Sequence, residues 1–235
     1  MRFLLTRPQP ECSRTAKRLR ELGHDVLESP MLRLKPLTPG HFDMKGVAAL
    51  AVTSKRIAGL LAAHPQMREL SNLPVFAVGS RTADSMRAAG FEDVVSANGD
   101  VAALAEMITA HRPAGTVLYL AARDRAGDLE GRLASCGIEC KIQILYAMEP
   151  EERLAEDVLS ALQAGSIDAV LIYSRRTAQA LVDALMAVGR MDVFHGLRVI
   201  AISDQSAEPV PVNACVEVAP HPSEDGLLQR ALTGC

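Results

Sequence analysis

FLLTRPQPECSRTAKRLRELGHDVLESPMLRLKP, Phe3 to Pro36, reads as strand, turn, helix, glycine, strand and proline. VLYLAARDRAGDLEGRLASCGIECKIQILYAMEP, Val117 to Pro150, has the same grammar. The helix-ending Gly23 and Gly137 lie 114 positions apart, and so do the closing Pro36 and Pro150. A second block recurs as well: LAVTSKRIAGLL (Leu50 to Leu61) beside VLIYSRRTAQAL (Val170 to Leu181), with Ser54 and Ser174 separated by 120 positions. Ordinary βα units share much of this pattern by chance. An offset held at both glycine and proline points instead to an internal duplication, with a ligand held between two halves of one design.

Outward from these blocks, short apolar runs alternate with longer amphipathic ones along the whole chain. That pattern predicts βα units around parallel sheets, an α/β fold. Strands are expected at Phe3–Leu5, Asp25–Leu27, Ala49–Val52, Val75–Ala77, Asp93–Val95, Val117–Leu120, Lys141–Leu145, Ala169–Ile172, Val199–Ile202 and Val216–Val218. Helices are expected to start near Pro10, Lys55, Arg81, Asp100, Asp128, Glu152, Arg176 and Glu224. Ser54, Ser80, Asp100 and Ser174 can accept hydrogen bonds from the first free helix amides. Gly23, Gly90 and Gly137 mark helix ends that want a left-handed residue. The proline-bearing stretches Leu32–Pro39 and Met148–Glu151 are the expected crossings between domains.

A chain of 235 residues, 49% hydrophobic, can bury one large core or two smaller ones. With 3% aromatics and no tryptophan, those cores must be aliphatic, and stacking of nucleobases is not expected. A net charge of −3 offers no bulk attraction for nucleic acid. No apolar run reaches the roughly 18 residues of a membrane span, and RFLLTRP follows Met1 without a signal-peptide pattern. A cytoplasmic location is expected. The five cysteines (12, 136, 140, 215, 235) are odd in number and lack CxxC, so neither disulfides nor a metal site is expected. The six histidines show no ligand spacing, which again predicts no metal.

The cations are not scattered evenly. Arg7, Lys55, Arg56, Arg81, Arg123, Arg125, Arg175 and Arg176 all follow predicted strands. In parallel α/β sheets ligands collect there, where helix amides and dipoles favour anions. The same turns carry hydroxyls: Thr6, Thr53, Ser54, Ser80, Thr82, Ser174, Ser203 and Ser206. Hydroxyls and amides suit carboxylates as well as phosphates. GxGxxG and GxxxxGK[ST] are both missing, which argues against dinucleotides and P-loop nucleotides. Without a GxSxG elbow, covalent serine catalysis is not indicated.

The ordered set FLLTRP, LAVTSKRI, VFAVGSRTADSMRAAGF, VLYLAARDRAGDLEGRLASCGI, ILYAMEP and IDAVLIYSRRTAQAL resembles the uroporphyrinogen-III synthase family over essentially the whole chain. The resemblance implies two α/β domains joined by a two-stranded antiparallel linker. Residues 1–34 plus 150–235 would form one domain and 38–146 the other, with linker strands at 32–39 and 146–151. It further implies a monomeric, cofactor-free hydro-lyase. The substrate would be hydroxymethylbilane, a linear tetrapyrrole with eight carboxylates, and a transient contact with hydroxymethylbilane synthase would be compatible with that role.

The implied reaction is dehydrative ring closure. The ring A hydroxyl leaves, giving an azafulvene; ring D attacks through its substituted carbon, and a spiro intermediate recloses with that ring inverted. Uncatalysed closure lacks the inversion, so geometry matters as much as rate. The family's tyrosine falls on Tyr146, which is the expected acid, since a free phenol with a pKa near 10 keeps its proton at neutral pH. The family's threonine falls on Thr82 and its second-half serine on Ser174. Substrate contacts are expected from Arg7, Thr53, Ser54, Lys55, Ser80, Thr82, Arg123, Ser174, Arg175, Ser203 and Ser206. One segment departs from the family: ISDQSAEPVP has Ser206 in place of threonine, and Pro209 and Pro211 must cut its helix short. The competing expectation is a two-lobed module that binds an anion without chemistry.

Overall fold

A computed structural model describes residues 1–233, so Cys235 lies outside the described residues. In chain order the elements are β1 (Arg2–Leu5), α1 (Glu11–Glu21), β2 (Asp25–Glu28), β3 (Leu32–Pro36), β4 (Val47–Val52), α2 (Arg56–Leu61) and α3 (Met67–Leu70). Then come β5 (Val75–Ala77), α4 (Ser80–Ala88), β6 (Val94–Ser96), α5 (Val101–His111), β7 (Thr116–Ala122), α6 (Leu129–Ser135) and β8 (Cys140–Pro150). The chain ends with α7 (Glu156–Gln163), β9 (Ala169–Ile172), α8 (Arg175–Ala187), a 3₁₀ turn (Met191–His195), β10 (Arg198–Ala201), α9 (Asp204–Ala207), β11 (Cys215–Val218) and α10 (Glu224–Leu232).

These elements form two compact units, one of Met1–Leu34 with the chain from Glu149 onward, the other of Lys35–Met148. In the first, the sheet order is β11-β10-β9-β1-β2, all neighbours parallel. Residues alternate between its faces. Phe3, Leu5, Ala169 and Leu171 pack with Cys12, Ala16 and Leu19 of α1 and Leu227 of α10. Leu4, Val170 and Ile172 pack on the other face with α7 and α8. Because both faces are covered, β9 reads AVLI without a polar residue, and all four are buried. The buried residues of α1, Cys12, Thr15, Ala16 and Leu19, follow the helical spacing that makes one apolar stripe.

In the second unit the order is β3-β8-β7-β4-β5-β6. The pairs from β8 to β6 are parallel. Ala49, Ala51, Val117, Tyr119 and Ala121 pack with Leu104 and Ile108 of α5 and Leu129 and Leu133 of α6. Where β3 meets β8, Leu37 N donates to Leu145 O at 2.7 Å and Glu151 N to Met31 O at 3.0 Å.

Most predicted helix signals sit where expected. Gly23 and Gly137 adopt φ of +83° and +75° after α1 and α6. Asp100 caps α5 by accepting from Ala102 N and Ala103 N, and Ser174 caps α8. Four details differ. Lys55 rather than Ser54 takes the N-cap position of α2, although the Ser54 hydroxyl still accepts from Arg56 N at 3.3 Å. Gly79 precedes α4, and Ser80 is its first residue. Helix α7 starts at Glu156 instead of near Glu152, since Ala155 is still extended and no side chain caps the start. Helix α3 and the 3₁₀ turn carry no side-chain cap and are too short to show a period. Among the described residues no helix is long and apolar enough to cross a membrane.

Burial also makes a pH-dependent contribution. Cys12 has no exposed surface and donates weakly to Leu5 O at 3.8 Å. Desolvation, reinforced by Glu28 and partly offset by Arg7 and Arg20, pushes its thiol from 9.0 up to about 12. Below pH 9 the thiol is neutral in both states. Above it, the unfolded chain loses the proton and the native one does not, so stability falls between pH 9 and about 12. The slope from this group is about 1.4 kcal/mol per pH unit. Urea unfolding at pH 8.5 and 10.5 should show a steeper loss for the native sequence than for Cys12→Ala. Equal slopes would remove Cys12 from this role.

Candidate functional site

Strand β4 leads through α2 to β5 on one side, and β7 leads through α6 to β8 on the other. The carboxyl ends of β4 and β7 therefore flank the point where the winding of the sheet reverses. In open parallel sheets that is where a crevice opens. A cleft of about 590 Å³ lies there, lined by Thr53 and Ser54 after β4, Val78 after β5, Asp100 to Ala102 at the start of α5, and Ala122 with Asp124 to Gly127 after β7. Arg132 and Tyr146 complete it.

Tyr146 reaches the cleft through an irregularity in β8. Ile144 pairs with Ala121, but the next residue of β7, Ala122, pairs with Tyr146. Leu145 is the extra residue of a β-bulge, a device that re-aims the side chains beyond it. The peptide is fixed there, with Arg123 N donating to Tyr146 O at 2.8 Å. The Tyr146 ring is 4% exposed, and its hydroxyl donates to Ser54 Oγ at 2.8 Å. Next to this pair, Tyr119 Oη and Thr53 Oγ1 share a hydrogen bond of 2.9 Å. Burial pushes the Tyr119 phenol upward, the Thr53 hydrogen bond opposing it in part. Two tyrosine–hydroxyl pairs thus stand side by side at the ends of β4, β7 and β8.

The charges of the cleft are mixed. Arg125 is paired with Glu130 at 3.0 Å. Asp100 spends its carboxylate on the α5 amides, which hold it below the ordinary carboxylate range. Arg132 makes no ion pair among the described residues, which leaves its guanidinium available to an anion. Asp124 and Arg132 carry no site signal in the sequence, and Asp100 signals only a helix cap. Spacing along α6 offered no signal for Arg132, because only the packing of α6 on α5 turns it toward the cleft. Of the residues expected in this unit, Thr53, Ser54 and Tyr146 are brought together. Lys55, half-buried, Arg123, exposed, and Ser80 and Thr82 of α4, the first exposed and the second buried, lie outside the lining.

In the other unit the equivalent reversal lies between β9 and β1. Arg7 Nη1 donates to Thr15 Oγ1 at 3.0 Å, lies 3.2 Å from Glu224 Oε1, and its guanidinium stacks 4.0 Å over the Tyr173 ring. Thr15 Oγ1 in turn donates to Glu224 Oε1 at 2.5 Å. The Tyr173 hydroxyl is buried without a well-formed hydrogen bond, although Thr15 and Arg7 lie close enough to favour its ionised form. Burial outweighs them and pushes that phenol upward. Ser174 Oγ accepts from Thr177 N at 3.2 Å. Ser203 and Ser206 close a capping box on α9, with Ser206 Oγ donating to Ser203 O at 2.7 Å. That helix is four residues long, as Pro209 and Pro211 require. Arg175 is paired with Glu208 at 3.0 Å. The Arg7 charge is thus largely matched by Glu224, and the hydroxyls of Ser174, Ser203 and Ser206 serve helix starts. No group of three His, Cys, Asp or Glu side chains able to hold a metal occurs among the described residues.

A family model described as "Uroporphyrinogen-III synthase HemD" matches residues 13–229. The fold is similar to the crystal structure of uroporphyrinogen-III synthetase from Helicobacter pylori, at 20% identity, with both chains covered over 100% of their length and a TM-score of 0.65. It is also similar to a mutant uroporphyrinogen III synthase from Thermus thermophilus, at 16% identity, with 100% of each chain covered and a TM-score of 0.55.

Proposed function

The chain belongs to the uroporphyrinogen-III synthase family, and on that premise we propose that the cleft between the ends of β4 and β7 is where its chemistry takes place. The function of the protein is the dehydrative cyclisation of hydroxymethylbilane to uroporphyrinogen III, with inversion of ring D, in tetrapyrrole synthesis. The observation that carries the placement is the Tyr146–Ser54 hydrogen bond at the reversal of the sheet. It puts a buried phenol and an adjacent hydroxyl at the one edge where a parallel sheet offers a crevice.

In this reading the enzyme is a hydro-lyase that needs no cofactor. Tyr146 is the acid behind departure of the ring A hydroxyl, and Thr53 and Ser54 contact substrate beside it. Arg132 and the turns carrying Lys55, Ser80, Thr82 and Arg123 receive carboxylates. Arg7, Ser174, Arg175, Ser203 and Ser206 hold the remaining carboxylates in the other unit. Arg7 would do so in competition with Glu224. The reading also has the chain acting as a cytoplasmic monomer that meets hydroxymethylbilane synthase only transiently.

One observation supports an internal duplication and another supports the linker. Under the sequence repeat, the strand orders β11-β10-β9-β1-β2 and β6-β5-β4-β7-β8 correspond strand for strand. The hydrogen bonds at Met31–Glu151 and Leu37–Leu145 are what an antiparallel linker of β3 and β8 would make, because one partner number rises while the other falls. We take the domains as residues 1–34 plus 150–235 and residues 38–146.

The test is to supply the protein with enzymically generated hydroxymethylbilane, oxidise the products and separate the isomers. The expected result is the type III isomer, formed without added metal or organic cofactor. Formation of the type I isomer alone, with protein in excess, would mean that the chain binds without catalysing.

A further inference from the structure

The Ser54 hydroxyl has a hydrogen-bonding count that assigns it a part in the reaction. Its oxygen accepts from the Tyr146 phenol at 2.8 Å and from Arg56 N at 3.3 Å. A serine hydroxyl has two acceptor lone pairs and one proton. Both lone pairs are therefore in use, and among the described residues nothing accepts the proton. Ser54 is half-buried and lines the cleft, so its O–H is the donor presented to whatever occupies that space. The Tyr146 ring lies deeper, at 4% exposure, and the proton of its phenol is committed to Ser54. The bulge at Leu145 holds this geometry from one side and the end of β4 holds it from the other.

We propose that Ser54 delivers the proton to the departing hydroxyl and that Tyr146 replenishes it, so the acid is a two-residue relay rather than a phenol in contact with substrate. This rests on the cyclisation reading above. The C–O bond of the ring A hydroxymethyl group breaks with its electron pair moving onto oxygen. That oxygen takes the Ser54 proton and leaves as water, while the pyrrole nitrogen lone pair fills the demand at carbon. Ser54 Oγ simultaneously takes the Tyr146 proton. The tyrosinate regains a proton from the one that the ring-closed tetrapyrrole releases, so no proton is gained or lost over a turnover. A chain of hydrogen bonds polarises its members in one direction. Ser54 backed by a phenol is accordingly a stronger donor than an isolated serine.

The relay predicts non-additivity. Tyr146→Phe and Ser54→Ala should each slow turnover of hydroxymethylbilane by about 10²-fold. The double variant should be slower by about 10²-fold, where independent contributions would give about 10⁴-fold. Ser54→Thr, which keeps the hydroxyl, should recover most of the rate. In mixtures of H₂O and D₂O the native rate should bow with deuterium fraction, as two protons in flight require, and become linear in Tyr146→Phe. That measurement on the native protein holds even if Ser54→Ala folds poorly.

A slow Tyr146→Phe beside a Ser54→Ala of native rate would overturn the relay and leave the phenol as the direct acid. Multiplying effects in the double variant, or a linear native profile, would overturn it too. Native turnover in Tyr146→Phe would overturn both the relay and the acid role, while type III product from the native protein would still support the cyclisation.

Discussion

Tyr146→Phe is expected to lower turnover about 10²-fold, the usual contribution of one positioned proton donor, while the protein stays folded. The ring is almost completely buried and phenylalanine fills the same space, so packing is retained. What disappears is the 2.8 Å hydrogen bond to Ser54, worth about 1 kcal/mol of net stability. A loss of that size moves a melting temperature by a few degrees for a chain of this length. Loss of the ring A hydroxyl is already assisted by the pyrrole nitrogen, which is why the effect should not be larger. Isomer composition gives a second readout. Inversion depends on how the cleft holds the chain of rings, and unassisted closure competes without inversion. A slowed enzyme should therefore still make the type III isomer, with a growing share of type I as enzyme is diluted. A variant with native turnover and native isomer ratio would remove Tyr146 from the proton path.

Leu171→Ala is expected to destabilise the protein by about 3 kcal/mol, within the range seen when a buried leucine is truncated in a core that cannot collapse around the gap. Leu171 lies in β9, between β10 and β1, paired in register with Ile200 and Leu5, and has no exposed surface. Its carbonyl accepts the buried Thr6 hydroxyl at 2.9 Å, so the surrounding backbone is held and relaxation is limited. Val212→Ala removes methyl groups from a fully exposed side chain and should change stability by less than about 0.5 kcal/mol. Denaturant midpoints for the two variants, measured with the native protein, make the comparison direct. A Leu171→Ala cost below about 1 kcal/mol would mean that this core repacks freely. The contrast matters because both residues are apolar in the sequence, and only the structure separates the buried one from the exposed one.

Local chemistry was legible because its causes lie within four or five residues. Gly23 and Gly137 end their helices with positive φ, as a residue without Cβ allows at no steric cost. Asp100 and Ser174 cap, since a short oxygen-bearing side chain reaches the free amides two or three positions on. Pro209 stops α9 after four residues because it can neither donate nor tolerate the preceding turn. The same reasoning could place the strand exits at the site, since a parallel sheet gathers its ligands there whatever the ligand is.

Which exits share a cleft was decided by tertiary structure. Ser54 and Tyr146 are 92 positions apart and meet only because β4 and β8 both flank β7. Tyr146 is aimed by a bulge at Leu145, and nothing in ILYAMEP announces a bulge, because it arises from the register of β8 against β7. Arg7 resembled a carboxylate receptor in the sequence, yet Glu224, 217 positions away, already matches its charge. Arg132 gave no signal at all and still lines the cleft, by the way α6 packs on α5. Composition, period and capping thus set the elements and the edge of the sheet where chemistry can occur, since these depend on neighbours in the chain. The partners of each functional side chain depend on strand order and register, which link residues that the chain itself keeps far apart.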